Sequence, residues 1–180
     1  MEIPRRKKFE EGTIRFCGRE ITQDEEGNIK VKCKDTVEKT APVNFRKGDR
    51  TMESPANEGE ISQLRSVVGS LSWVARQCRP SLSYDCSRLQ SVAAGAQLKH
   101  LVDPNKTLAQ AIEGSEEGFF FKAHAFNWNE AILVSVTDAS WAGETLIVDD
   151  KVFPRRSQRA RVTFLASPYI WTGNEASYTL

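Results

Sequence analysis

Between about residues 58 and 77 the apolar positions Ile61, Leu64, Val68, Leu71, Ala75 and Cys78 recur at alternating spacings of three and four. That is the period of a helix that buries one face. Pro80 stops it, and Ser81 stands where it can cap a second helix, in which Leu82, Cys86, Leu89, Ala93 and Ala96 repeat the spacing. The turn CRPS between them makes an αα-hairpin. DPNKTLAQAIEG offers an Asp cap, a Pro at the first helical position and a closing Gly, which predicts a third, short helix.

On either side the period changes. Two β-prone runs, roughly 13–22 and 28–33, are joined by DEEGN, which has hairpin turn chemistry and predicts one β-hairpin. Residues 34–57 are polar, hold Pro42 and Pro55 and show no sustained period, so they read as a linker. After Gly118 the runs GFFFKAHAF, AILVSVTDA, RARVTFLA and SPYIWTG follow one another with no amphipathic helix between them, which favours an antiparallel β-meander. The expected fold is α+β: a hairpin over 1–33, a linker over 34–57, a helical domain over 58–113 and a sheet domain over 118–180. No internal repeat is present.

Composition narrows the partners little. With 180 residues, 39% apolar, the chain can build one or two small cores. Its 25 Lys+Arg against 24 Asp+Glu leave a net charge of +1, so only local patches can speak for nucleic acid. Cys17, Cys33, Cys78 and Cys86 form no C-x-x-C pair, and His100 and His124 lie far from the first two, so zinc is not suggested and free thiols in a reducing compartment are expected. No run approaches a membrane span, and MEIPRRKKFEEG lacks the apolar core of a signal peptide. A soluble intracellular chain, cytoplasmic or nuclear, with no membrane partner is the expectation.

Three patches carry candidate chemistry. On the first helix, Arg65, Gly69, Trp73 and Arg76 are spaced four, four and three apart and line a face offset from the apolar stripe, flanked by Ser66, Ser70 and Gln77. A Gly inside a helix costs about 1 kcal/mol relative to Ala, and close approach of another backbone is the usual reason to tolerate it. That backbone is either nucleic acid, held through phosphate and sugar contacts, or another protein segment packed on Gly69 and Trp73. In SVTDASWAGE a strand delivers Asp138 at its end, a position for a divalent-cation ligand or, equally, a turn residue. Glu144, Asp149, Asp150 and Glu175 are near in sequence, but convergence of several acids is what a two-metal site needs. PRRSQRAR places Arg155, Arg156, Arg159 and Arg161 in one cluster, suited to phosphates or to a solvated arm. RRKK at 5–8 is a common terminal basic run.

The order FCGREI, LRSVVGSLSWVARQCRPSLSY, VSVTDASWAGE resembles the C-terminal part of a copia-type retrotransposon polyprotein, from the end of reverse transcriptase into ribonuclease H. That family shows F-L-G-x-E, then Y-R-x-L-V-G-S-L-x-Y-L-A-x-x-T-R-P-D-I-x-Y, then Y-S-D-A-D-W-A-G. The resemblance covers most of the chain. It implies that the hairpin is the primer grip, with Phe16, Cys17 and Gly18 on the F-L-G pattern, and that 58–113 is a thumb. Val67, Val68, Gly69, Leu71 and Trp73 fall on the L-V-G-K-L-N-W pattern of the thumb helix of retroviral enzymes, which further implies that Gly69 and Trp73 lie along the minor groove of a template–primer duplex. The remainder would be the opening β-meander of an incomplete ribonuclease H fold, with Asp138 on the first metal-binding aspartate.

The same resemblance sets limits. The polymerase Y-x-D-D carboxylates belong before the primer grip and are not in this sequence. The Glu-bearing helix of ribonuclease H belongs after the final YTL, and Ser140 replaces the second Asp of D-A-D-W. The parent enzyme would use Mg2+ or Mn2+, whereas this chain is expected to hold no metal stably and to catalyse neither reaction alone. Its implied partners are RNA–DNA hybrid or DNA duplex and the rest of the polyprotein. A non-catalytic nucleic-acid-binding host protein and a decayed gene product are the competing expectations.

Overall fold

The computed structural model describes residues 12–125, 127–140, 146–148, 151–153, 158–171 and 178–179. The chain divides into two compact units, Met1–Phe120 and Phe121–Leu180. It mixes α-helices with antiparallel β-pairs.

In the first unit the strands β1 (Ile14–Phe16), β2 (Arg19–Gln23), β3 (Ile29–Lys32) and β4 (Gly118–Phe121) form one sheet in chain order. Where the sequence predicts a single run over 13–22, the structure has a tight turn. Phe16 pairs with Arg19, leaving Cys17 and Gly18 as a two-residue loop with φ of +46° and +71°. Two positive φ values in succession mark the primed turn that matches strand twist. Cys is an unusual residue at the first of these positions, which hides the turn from sequence reading. The expected DEEGN turn also forms, with Asp24 accepting from the Asn28 N–H and side chain, both at 2.8 Å. GFFF, assigned from sequence to the later meander, instead joins this sheet beside β3. Gly118 is needed there, because a Cβ would overlap the Val31 carbonyl.

Residues 34–57 are not a free linker. They contain a short helix, α1 (Lys34–Glu38), and bury Val37, Val43 and Ala56 in the same core as the long helices. The Asn105 side chain closes both the N–H (2.8 Å) and the carbonyl (2.9 Å) of Val43. Arg50 makes a two-pronged ion pair to Glu60, at 2.7 and 3.0 Å.

Helix α2 (Glu58–Gln77) spans the predicted range. Asn57 accepts from the Glu60 N–H and Glu60 accepts from the Asn57 N–H, both at 2.9 Å, a reciprocal cap. Leu64, Val68, Leu71, Ala75 and Cys78 of the predicted stripe are buried, Ile61 is half-buried, and Val67, Ser72 and Val74 widen the buried face. The second helix starts later than predicted. Pro80–Leu82 form a 3-10 turn, and α3 runs Ser83–Val92 with Leu82, not Ser81, at its cap position. Helix α4 (Val102–Glu113) begins before Asp103, which lies inside its first turn and pairs with Arg88 at 3.0 Å instead of capping.

In the second unit β5 (Ile132–Ser140) pairs antiparallel with β8 (Gln158–Ala166), from Ile132↔Ala166 to Ser140↔Gln158. β6 (Leu146–Val148) and β7 (Lys151–Phe153) form a separate two-stranded pair, and β9 (Tyr178–Thr179) joins β8. Within SPYIWTG, where a strand is expected, Pro168–Trp171 form a 3-10 turn, for which proline's locked φ is suited, and Thr172 and Gly173 lie outside the described residues.

His100 bridges the 3-10 segment Leu98–Leu101 to its cap residue, its Nδ1 accepting from the Gln97 N–H at 3.0 Å. Burial, followed by the Lys99 charge, holds this imidazole below its usual value of 6.5. The unfolded chain therefore takes up the proton first, so this contribution to stability is full above pH 6.5 and is lost as pH falls through the lowered folded value. The urea midpoint is expected to drop between about pH 7 and pH 5, with His100→Gln flattening the dependence; an unchanged slope in that variant would contradict it.

Candidate nucleic-acid interface

The outer face of α2 is what the burial of its inner face leaves over. Arg65, Ser66, Gly69 and Arg76 are exposed, Ser70 and Gln77 are half-buried, and Trp73 is half-buried against the rim of the core. Neither Arg65 nor Arg76 pairs with a carboxylate among the described residues. A Cβ added at Gly69 would meet nothing within 4 Å. Packing of another protein segment over Gly69, one of the two readings open from sequence, is therefore absent within the described chain. Among the described residues nothing requires glycine at 69.

Trp73 differs. A Cβ built on Gly18 would lie 3.0 Å from its Cη2 and 3.5 Å from its Cζ2, and 3.6 Å from the Thr36 hydroxyl. The Cys17–Gly18 turn thus rests on the benzo edge of the indole, with Thr36 of α1 also beside it. Here glycine is required twice over, by the positive φ and by the close approach. A second tie fixes the same hairpin: Arg15 of β1 meets Asp35 of α1 at 2.9 Å, and Lys39 meets that carboxylate at 2.9 Å. The hydrogen bond from Lys39, with the Arg15 charge adding, holds the Asp35 carboxyl below its usual value.

The structure thus brings Gly18 to Trp73, four residues from Gly69 along α2. Phe16 and Cys17, adjoining Gly18, are both exposed. The Arg19 guanidinium lies 5.9 Å from the centre of the Phe16 ring, within cation–π range. An exposed aromatic ring, a cation and a bare helix face are the elements that a nucleic-acid backbone and its sugars can use.

Among the described residues the second unit's candidates do not converge, and Glu144, Asp149, Asp150 and Glu175 lie outside those residues. Asp138 is exposed and pairs with Ala160 across the strands. Directly opposed residues share a sheet face, and so do alternate residues along a strand. Asp138 therefore shares its face with Val136 and Val162, while Arg159 and Arg161 occupy the other face. Arg161 donates its Nε–H to Ser135 Oγ at 3.0 Å. Arg155 and Arg156 lie outside the described residues. Among the described residues no group of three His, Cys, Asp or Glu side chains stands close enough to hold a metal ion. The described donor set does not fit a Mg2+ or Mn2+ site. No helix among the described residues is long and apolar enough to cross a membrane.

No family model, no curated protein and no solved structure matches the chain.

Two arrangements escaped sequence reading. Arg79 in the CRPS turn is buried, donating to the Gly114 carbonyl and pairing with Glu117 at 3.0 Å. A buried Arg beside a proline gives no periodic signal. Cys33 and Cys78, distant in sequence, are hydrogen-bond partners in the core, and that contact, followed by burial, pushes the Cys33 thiol up.

Because Gly69 is exposed and unhindered, Gly69→Ala is expected to raise stability by up to about 1 kcal/mol. Urea unfolding measures this, and destabilisation would show a backbone constraint at Gly69 that its open surroundings do not reveal.

Proposed function

We propose that this chain holds a nucleic-acid duplex along the outer face of α2, as the primer-grip and thumb portion of a copia-type reverse transcriptase/ribonuclease H polyprotein. The observation that carries the reading is the bare surface over Gly69: a helix that forgoes about 1 kcal/mol at a position with no internal contact. A ligand that needs close access to the helix backbone accounts for it. The sequence resemblance supports the choice of RNA–DNA hybrid or DNA duplex as that ligand, and Arg65 and Arg76, unpaired among the described residues, supply charge for phosphates. Contacts of this kind follow the backbone and do not read sequence.

In this reading the chain is a holder and not a nuclease. Asp138 is the one residue on the ribonuclease H metal-ligand pattern, and phosphodiester hydrolysis by two metals needs several converging carboxylates. The parent enzyme would supply the others, together with Mg2+ or Mn2+. The rest of the polyprotein is the second partner.

Affinity for a hybrid duplex is expected to fall with salt. Arg65→Ala and Arg76→Ala should each weaken it across unrelated sequences and lower the slope of log affinity against log salt by about one. Wild-type slopes in both variants would remove α2 from the interface. The purified chain with Mg2+ should leave the RNA strand of the hybrid intact. Cleavage that disappears in Asp138→Asn would refute the holder assignment.

A further inference from the structure

The sequence resemblance implies that Trp73 is a surface the duplex touches. The geometry points elsewhere: we propose that Trp73 is a positioning residue, whose indole carries the Cys17–Gly18 turn and so sets where Phe16 and Arg19 stand beside the Gly69 face. The proposal rests on the duplex-binding reading for its consequence, though not for its structural content.

Trp73 is half-buried and packs against the core. Its benzo edge is covered by Gly18, which approaches so closely that even one methyl group would stand 3.0 Å from Cη2. An edge covered by protein is not offered to a ligand. Gly18 is held by α1 as well, its carbonyl accepting the Thr36 hydroxyl at 3.4 Å. The turn therefore rests on both α2 and α1. Gly69 lies four residues before Trp73, about 6 Å along the helix axis. A turn seated on Trp73 thus borders the bare stretch of helix, and it presents Phe16, 59% exposed, with Arg19 over its ring.

The division of labour follows. Gly69 and its neighbours supply the open helix backbone, the hairpin tip supplies the aromatic face and the cation, and Trp73 fixes the distance between them. In this arrangement glycine at 18 and tryptophan at 73 are one device: the first lacks a side chain so that the second can reach the turn.

The test separates positioning from contact. Amide hydrogen exchange across residues 14–23 is measured on the free chain for wild type, Trp73→Ala, Trp73→Phe and Gly18→Ala, and affinity for a fluorescein-labelled RNA–DNA hybrid is measured for the same proteins and for Phe16→Ala. Exchange in the hairpin should rise by about tenfold in Trp73→Ala and Gly18→Ala, and less in Trp73→Phe, while α3 and α4 stay protected. Retained protection there shows that the variants fold; if Trp73→Ala does not, Trp73→Phe and Gly18→Ala carry the comparison. The affinity loss of Trp73→Ala should not add to that of Phe16→Ala in the double variant. Unchanged hairpin exchange in folded Trp73→Ala overturns the proposal, and so does full additivity with Phe16→Ala, since both mark Trp73 as a direct contact. If wild type binds no duplex, the functional reading fails and the exchange result alone decides whether Trp73 seats the turn.

Discussion

Burial of one face of α2 is the constraint on which the first unit depends. Leu64, Val67, Leu71 and Val74 are almost wholly removed from water, each contributing about 1.5–3 kcal/mol of the transfer free energy that offsets chain ordering. Several other elements of the unit are tied to that helix. Arg50 fixes its first turn through Glu60, Gln90 of α3 donates to Ser72 at 2.8 Å, and Cys33 at the end of β3 meets Cys78 at the helix C-terminus. The hairpin is tied through Trp73. Because one face is committed so fully, the opposite face is determined by exclusion, and its exposure is a consequence of the core.

Two glycines on this unit show how the same residue answers opposite demands. Gly18 is glycine because of its surroundings, namely a left-handed backbone and an indole against its Cα. Gly69 has helical neighbours, ordinary geometry and empty space around it, so its cost to the helix has no internal return. In the first case the constraint is written in the protein. In the second the described residues supply none, and the proposed duplex would.

The second unit is organised by register. Nine consecutive pairs between β5 and β8 place Asp138 opposite Ala160 and put Arg159 and Arg161 on the other face. A single-residue slip would reverse these assignments, since side chains alternate along a strand. Asp138 and the described arginines of the basic cluster, Arg159 and Arg161, are thus separated by the thickness of a sheet and lie on different surfaces.

Sequence by itself determined the strongly periodic elements. The range of α2, nearly all of its buried stripe, the αα-hairpin, the helix over 102–113 and the two long strands follow from spacing, because burial of one face demands that spacing locally. It misplaced elements whose cause is non-local. The Cys17–Gly18 turn, the packing of residues 34–57, the transfer of GFFF to the first sheet and the 3-10 turn at Pro168 depend on partners far along the chain or on backbone angles that residue type only weakly indicates. The face carrying Arg65, Gly69, Trp73 and Arg76 was legible as a face. Only tertiary structure decided that Gly69 is bare and Trp73 is occupied, since the hairpin turn that reaches one and not the other lies about fifty residues away, and no periodicity records which of two neighbouring positions a distant backbone will touch.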